Sequence, residues 1–163
     1  MTKPWVCYLI ASLDSNETYV GSTNDQPKRL YNHNRAGNYG AKRTRGRTWI
    51  PIVTLSGFPN KNSCLSFESG WKRLSKRRAN NRFYPINCLA DTNLRYEANT
   101  KWNRIMDLIY FVHNFTFIEN KFKINYDLRH RVRMPHRLTL NIFMEDWIGL
   151  LPWPFFVVPR EVR

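Results

Sequence analysis

The sequence predicts an α/β fold: a small three-stranded sheet, mixed or antiparallel, flanked by helices, with a C-terminal accessory lobe of helical or extended structure. Three observations carry this expectation. Short runs rich in β-branched and aromatic residues, bounded by turn residues, recur at Trp5–Ala11, Thr18–Gly21 and Trp49–Leu55. Segments with apolar residues at helical spacing and capping residues at their starts lie between and after them. The chain has 163 residues, 42% apolar and 15% aromatic, which is enough for one domain core with or without an appended lobe.

Trp5–Ala11 is a nearly continuous apolar run and reads as a buried strand. Asp14, Ser15 and Asn16 supply turn chemistry, and Thr18–Gly21 returns as its hairpin partner. Asn24 and Asp25 can cap a helix with Pro27 in its first turn, running to about Ala36 and stopping at Gly37. Residues 38–47 read as a glycine-containing basic loop, and Trp49–Leu55 as the third strand. After a turn at residues 56–59, Asn60 or Asn62 caps a second helix, whose Cys64, Phe67, Trp71 and Leu74 share the core-facing side. Lys72, Arg73, Lys76, Arg77 and Arg78 fill its other faces and its C-terminal end, where cations suit the helix dipole.

Residues 79–98 are polar and irregular. A third helix is expected from Thr100 to about Asn114, with Trp102, Ile105, Met106, Ile109 and Val112 as its stripe. Residues 115–118, 122–126 and 138–143 read as strands or extended arms. A boundary near residue 90 divides an N-terminal domain, residues 1–90, from an accessory region, residues 91–163, of unassigned role. In that region Trp147, Trp153, Phe155 and Phe156 are read as core, with a partner surface or a base-stacking platform as the other roles.

Lys and Arg outnumber Asp and Glu by 26 to 12, a formal charge of +14. Such a charge favours a polyanionic partner, because neutralising phosphates releases counterions. Cys7, Cys64 and Cys88 form no CxxC pair and are too few and too scattered for a disulfide framework or a zinc cluster. That usage fits a reducing, intracellular setting, nucleus or cytoplasm. The start of the chain does not read as a secretory signal. No membrane span is expected, since the apolar stretch 150–158 is broken by Pro152 and Pro154.

Glu68 is the only acidic residue between Asp25 and Asp91, a window that holds fourteen Lys and Arg. Such a carboxylate is either paired with a cation for structural reasons or kept to hold a divalent metal near a polyanion. Hydrolysis of a phosphodiester needs a base for water, a cation for the phosphate oxygens, and stabilisation of the leaving alkoxide. Mg²⁺ can supply the last two with few protein ligands. Tyr8 and Tyr19 lie on the two arms of the hairpin. If its turn is centred between Leu13 and Asp14, they stand opposite each other and project from one face. Arg29 and His33 are four residues apart on the next helix and share a face.

In order along the chain, Val6-Cys-Tyr8, Tyr19-Val-Gly-Ser-Thr23 and Arg29-Leu-Tyr-Asn-His33-Asn34 resemble the motifs of the GIY-YIG nuclease family. The basic stretch Gly40-Ala-Lys-Arg-Thr44, then Arg47-Thr-Trp49, Gly57-Phe58 and Leu65-Ser-Phe-Glu68-Ser-Gly-Trp71, is most similar to the Slx-type branch, catalytic subunits of structure-specific DNA endonucleases. The resemblance covers residues 5–78. It implies a GIY-YIG fold and a metal-dependent endonuclease acting on branched or flapped DNA in recombination or repair. It implies that Tyr8 is the general base or orients the attacking water, that Tyr19 supports it, and that Arg29 binds the scissile phosphate. His33 would assist proton transfer or hold Tyr8, and Glu68 would ligate one Mg²⁺ or Mn²⁺. Lys42, Arg43, Arg45, Arg47 and Lys72 would contact the DNA backbone.

Two departures stand out. Val6 replaces the family's first glycine, and the cysteine- and histidine-rich zinc module of Slx-type proteins has no counterpart here. Reliance on a scaffold protein partner is thereby put in question, and a homodimer is the other arrangement. A non-cleaving nucleic-acid-binding module, and a sequence-preferring homing or restriction nuclease of the same family, are the alternative functions.

Overall fold

The computed structural model of the chain describes residues 3–35, 37, 39–79, 100–113 and 137–162. The expected hairpin is present as β1 (Val6–Ser12) and β2 (Thr18–Thr23). It is followed by α1 (Gln26–Asn34), a short 3-10 turn (Lys42–Thr44), β3 (Trp49–Ser56) and α2 (Lys61–Ala79). Residues 101–113 form α3. β4 (Leu138–Ile142), a second 3-10 turn (Asp146–Leu150) and β5 (Val157–Glu161) follow.

The strands form one sheet in the order β2-β1-β3-β4-β5. The first three pairings are antiparallel and β4–β5 is parallel, so the sheet is mixed. The α/β class expected from the sequence holds, and the three strands read from it are the first three of five. β4 and β5 come from beyond residue 90 and extend the same sheet. β4 matches the expected segment 138–143. β5 carries Pro159, which discourages a strand reading. It is tolerated because β5 is the outermost strand, where a missing N–H need not break a ladder bond. The segments 115–118 and 122–126, and nearly all of 79–98, lie outside the described residues.

β1 is covered on both faces, which is why its sequence is almost uniformly apolar. Cys7, Leu9 and Ala11 join Val20, Cys64, Phe67 and Trp71 in the main core beneath α2. On the other face Tyr8, Ile10 and Trp49 pack with Tyr19 and Leu30 beneath α1. Ile105, Leu108, Ile109 and Val112 carry α3 into the main core, with Met106 half-buried against it. Trp147, Trp153 and Phe156 also pack on that core, as read, while Phe155 is exposed. The ladder between β1 and β3 shifts at Leu9/Ile10, next to Pro51. A bulge there is the expected accommodation of a residue that cannot donate.

The core between α2 and α3 holds a polar cluster. The wholly buried Asp107 carboxylate accepts from Arg78 Nε at 2.6 Å, Arg78 Nη2 at 2.9 Å and Ser75 Oγ at 2.7 Å. Trp71 Nε1 donates to the Arg104 carbonyl at 3.0 Å. The buried Arg104 side chain reaches Thr18 of β2, donating from Nε to Oγ1 at 3.2 Å. Burial lowers its pKa to about 10, with the neighbouring Asp107 charge opposing.

Removing a buried counter-charge leaves cations stranded in low dielectric. Asp107→Asn should therefore destabilise the fold by about 3–5 kcal/mol. Urea denaturation followed by tryptophan fluorescence measures this. A midpoint unchanged from the parent protein would show that the cluster is not a stabilising element.

Candidate active site

Tyr8 leaves the middle of β1 on the face beneath α1, and its cross-strand partner is Gly21. A methyl group on Gly21 would stand 2.4 Å from the Tyr8 hydroxyl oxygen and 2.6 Å from its Cζ. The phenol thus crosses β2 directly over the Gly21 backbone, a path open only where there is no side chain. This pairing corrects the expected register. Tyr19 pairs with Ile10, so the two tyrosines are diagonal neighbours and not directly opposite. The turn is centred one residue later than expected, and the Ser12 N–H donates to Glu17 O at 2.9 Å to close it. A slip of two residues in the partner keeps both phenols on one face. Their ring centroids are 6.3 Å apart.

α1 starts where the Asp25 side chain accepts from Lys28 N at 3.3 Å, with Pro27 in the first turn. It ends at Asn34, two residues before the expected Ala36, and Asn34 has a reason to stop there. Its amide donates to Trp49 O at 2.9 Å and its carbonyl accepts from Trp49 N at 2.6 Å, clamping the helix end to the first residue of β3. One residue earlier, His33 is almost fully buried over the sheet.

Three hydrogen bonds fix the state of His33. The Thr44 hydroxyl donates to Ala41 O at 2.9 Å, so its oxygen accepts from His33 Nδ1–H at 2.7 Å. Nε2 therefore carries the lone pair and accepts from the Tyr8 hydroxyl at 2.8 Å. Arg29 Nε donates to the same Tyr8 oxygen at 3.3 Å, and the Tyr19 phenol lies beside the same guanidinium. Burial, with the Arg29 charge adding to it, lowers the His33 pKa to about 4. Burial also pushes the Tyr8 phenol well above the ordinary tyrosine range, against the pull of the Arg29 hydrogen bond. Both groups rest neutral, joined by one directed proton.

Glu68 reaches this cluster from the other side of the sheet. α2 packs beneath β1 and β2, with Cys64 Sγ 3.5 Å from Ser22 Oγ. Lys72 Nζ donates to Glu68 Oε2 at 3.3 Å and sits 5.0 Å from the centre of the Tyr19 ring. Because β2 is the outer strand among the described residues, this pair bridges carboxylate and phenol around the edge of the sheet. The Glu68 charge is felt at Tyr8, where it adds to burial in keeping the phenol protonated. The structure thus gathers Tyr8, Tyr19, Arg29 and His33 directly, and Glu68 through Lys72.

Among the described residues, no group of three or more His, Cys, Asp or Glu side chains gathers as a closed metal site. A single half-buried carboxylate paired with one lysine is a different kind of site. Its hard oxygen suits a divalent ion that takes most ligands from water and phosphate.

Lys42, Arg43 and Arg45 are exposed and make no ion pair among the described residues. Thr44 between them is buried and holds His33, so the basic turn is anchored to the cluster. Arg47 is instead ion-paired with Glu17, and Lys72 with Glu68. Sequence reasoning does not single out Thr44 or Asn34. The one available signal for Thr44 is an uncharged residue in a run of cations.

Residues 4–82 match the family described as the GIY-YIG catalytic domain. An uncharacterised protein, L300, of Acanthamoeba polyphaga mimivirus is 60% identical over 155 residues, which is 94% of this chain and 93% of that protein. The structure-specific endonuclease subunit slx1 of Schizosaccharomyces pombe is 42% identical over 78 residues, 45% of this chain and 29% of its own length. The corresponding subunit of Malassezia globosa is 44% identical over 73 residues, 44% of this chain and 16% of its own. The chain thus spans less than a third of the endonuclease subunits it matches. Similarity to the viral protein continues past residue 82.

Two outcomes follow from the His33 environment. An unfolded histidine binds its proton near pH 6.5, and the folded one only near pH 4. A penalty on the folded state is therefore absent above pH 6.5 and accumulates as pH falls to about 4, reaching about 3 kcal/mol. His33→Gln should flatten that limb of a stability-versus-pH curve. Gly21→Ala, by forcing the phenol off β2, should open the slot and move His33 up toward its ordinary pKa in an NMR titration.

Proposed function

We propose that this chain, which belongs to the GIY-YIG family through residues 4–82, is a divalent-metal-dependent endonuclease that hydrolyses phosphodiester bonds in branched or flapped DNA. The observation that carries the proposal is the Tyr8 hydroxyl held between a donating guanidinium and an accepting neutral imidazole, with the charge of the Lys72-paired Glu68 carboxylate felt at the phenol. Kinship with structure-specific endonuclease subunits supports the choice of branched over plain duplex substrate.

In this reading Arg29 binds a non-bridging oxygen of the scissile phosphate. Tyr8 accepts a proton from the attacking water as its own proton passes to His33 Nε2. The water oxygen forms the new bond to phosphorus and the strand alkoxide departs. A relay of this kind suits a phenol too reluctant to ionise at rest. Thr44 keeps the imidazole in the tautomer that can receive the proton. Tyr19 packs against His33, with ring centroids 5.1 Å apart, and limits its rotation. Glu68 is the residue that would hold the metal, after giving up Lys72. A bound Mg²⁺ or Mn²⁺ would offset charge on the phosphate oxygens and the leaving alkoxide. Lys72, once released, and the exposed Lys42, Arg43 and Arg45 would track the DNA backbone.

Glu68→Gln and Tyr8→Phe should each lower cleavage at least about a hundredfold while leaving DNA binding within a few-fold of the parent protein. The assay is a panel of linear, flap, fork and four-way DNA with Mg²⁺, Mn²⁺ or chelator. Parent-like cutting by Glu68→Gln removes the mechanism. Binding without product in every metal would leave a non-cleaving module, and cuts at one sequence in plain duplex would point to a sequence-preferring nuclease.

A further inference from the structure

The outer side of α1 carries a feature the cleavage site does not use. Tyr31 is two residues past Arg29, so it is turned about 200° away and faces solvent. It is 63% exposed. Arg35, one turn on, has its guanidinium carbon 5.5 Å from the centre of the Tyr31 ring and 3.5 Å from that of Tyr39. Tyr39 is itself 53% exposed. Two solvent-facing rings therefore flank one guanidinium.

This group is tied to the active site by the next residue. A methyl group on Gly40 would stand 2.9 Å from His33 Cα, 3.0 Å from Asn32 O and 3.0 Å from Thr44 Oγ1. The loop that carries Tyr39 thus closes directly on the backbone of His33, as only glycine allows. Lys42, Arg43 and Arg45 begin two residues later, exposed and suited to phosphates.

We propose that Tyr31, Arg35 and Tyr39 form a stacking platform for an unpaired base of the DNA strand that passes the active site. The proposal rests on the nuclease reading above. Aromatic and guanidinium planes beside backbone-binding cations are the chemistry by which single-stranded nucleic acid is held. Paired bases hide their faces, so such a platform discriminates an open arm from continuous duplex. The local charge agrees: no acidic residue lies between Asp25 and Glu68.

The test uses the full chain carrying Glu68→Gln, with flap DNA that has 2-aminopurine in the unpaired arm beside the junction. Binding should quench the probe by stacking. Adding Tyr39→Ala should abolish the quench and weaken flap binding about tenfold, with blunt duplex binding unchanged. Tyr39→Phe should retain both, because the ring and not the hydroxyl stacks. Equal weakening on flap and duplex, or a quench that survives Tyr31→Ala combined with Tyr39→Ala, overturns the platform. Because the readout needs no cleavage, failure of the parent protein to cut any DNA overturns the nuclease reading alone.

Discussion

The hydroxyl of Tyr8 must find hydrogen-bond partners in a place with almost no water, and much of the first half of the chain is arranged to supply them. Its donor role is taken by His33 Nε2 and its acceptor role by Arg29 Nε. A buried hydroxyl without such partners would cost on the order of 1–3 kcal/mol. The dependence then runs outward. His33 can accept only if Nδ1 is the protonated nitrogen. Nδ1 is so fixed because Thr44 has spent its own proton on Ala41. The Thr44 carbonyl is held by Trp49 Nε1, and the Trp49 backbone is held by Asn34, one residue after the histidine. The circuit closes on itself, so strand, helix and turn each fix the others.

Charge within this arrangement is placed with the same economy. Three cationic groups, Arg29, Lys72 and the basic turn, surround two neutral titratable ones and one carboxylate. In the absence of phosphate, Lys72 and Glu68 neutralise each other, a half-exposed i, i+4 pair of the kind worth a few tenths of a kcal/mol. So weak a pair is readily exchanged. A phosphate would draw the ammonium and a divalent ion would draw the carboxylate. The ion pair is thus compatible with both roles read for Glu68 in the sequence, structural partner and metal ligand, as successive states of one group.

The fold class and the proximity of Tyr8, Tyr19, Arg29 and His33 were legible from the sequence because each rests on local signals. A strand buried on both faces shows as an unbroken apolar run. Arg29 and His33 share a helix face by spacing alone. Tyr8 and Tyr19 share a sheet face by parity, so even a hairpin register misjudged by two residues left them together. What was not legible depends on contacts distant in sequence. Nothing local in Thr44 says that it supports a histidine eleven residues earlier, or in Asn34 that it clamps a strand fifteen residues later. β5 was hidden for a different reason. Pro159 contradicts a strand by every local rule, and only its place at the sheet edge permits it.

That edge also explains how the two halves of the chain relate to the chemistry. An antiparallel three-stranded sheet ordered β2-β1-β3 would have two open edges. Among the described residues the C-terminal strands add to β3, and β2 remains the outer strand on the side of the candidate site. β2 is where openness is needed: Tyr8 crosses it over Gly21, and Lys72 reaches round it from Glu68 to Tyr19. A strand added there would stand in the path between the carboxylate and the phenols. Extending the sheet only beyond β3 enlarges the hydrophobic core without obstructing that path. β4 and β5 thereby extend the sheet on the side of β3 away from Tyr8 and Tyr19, while α3 reaches back to β2 through Arg104 and Thr18.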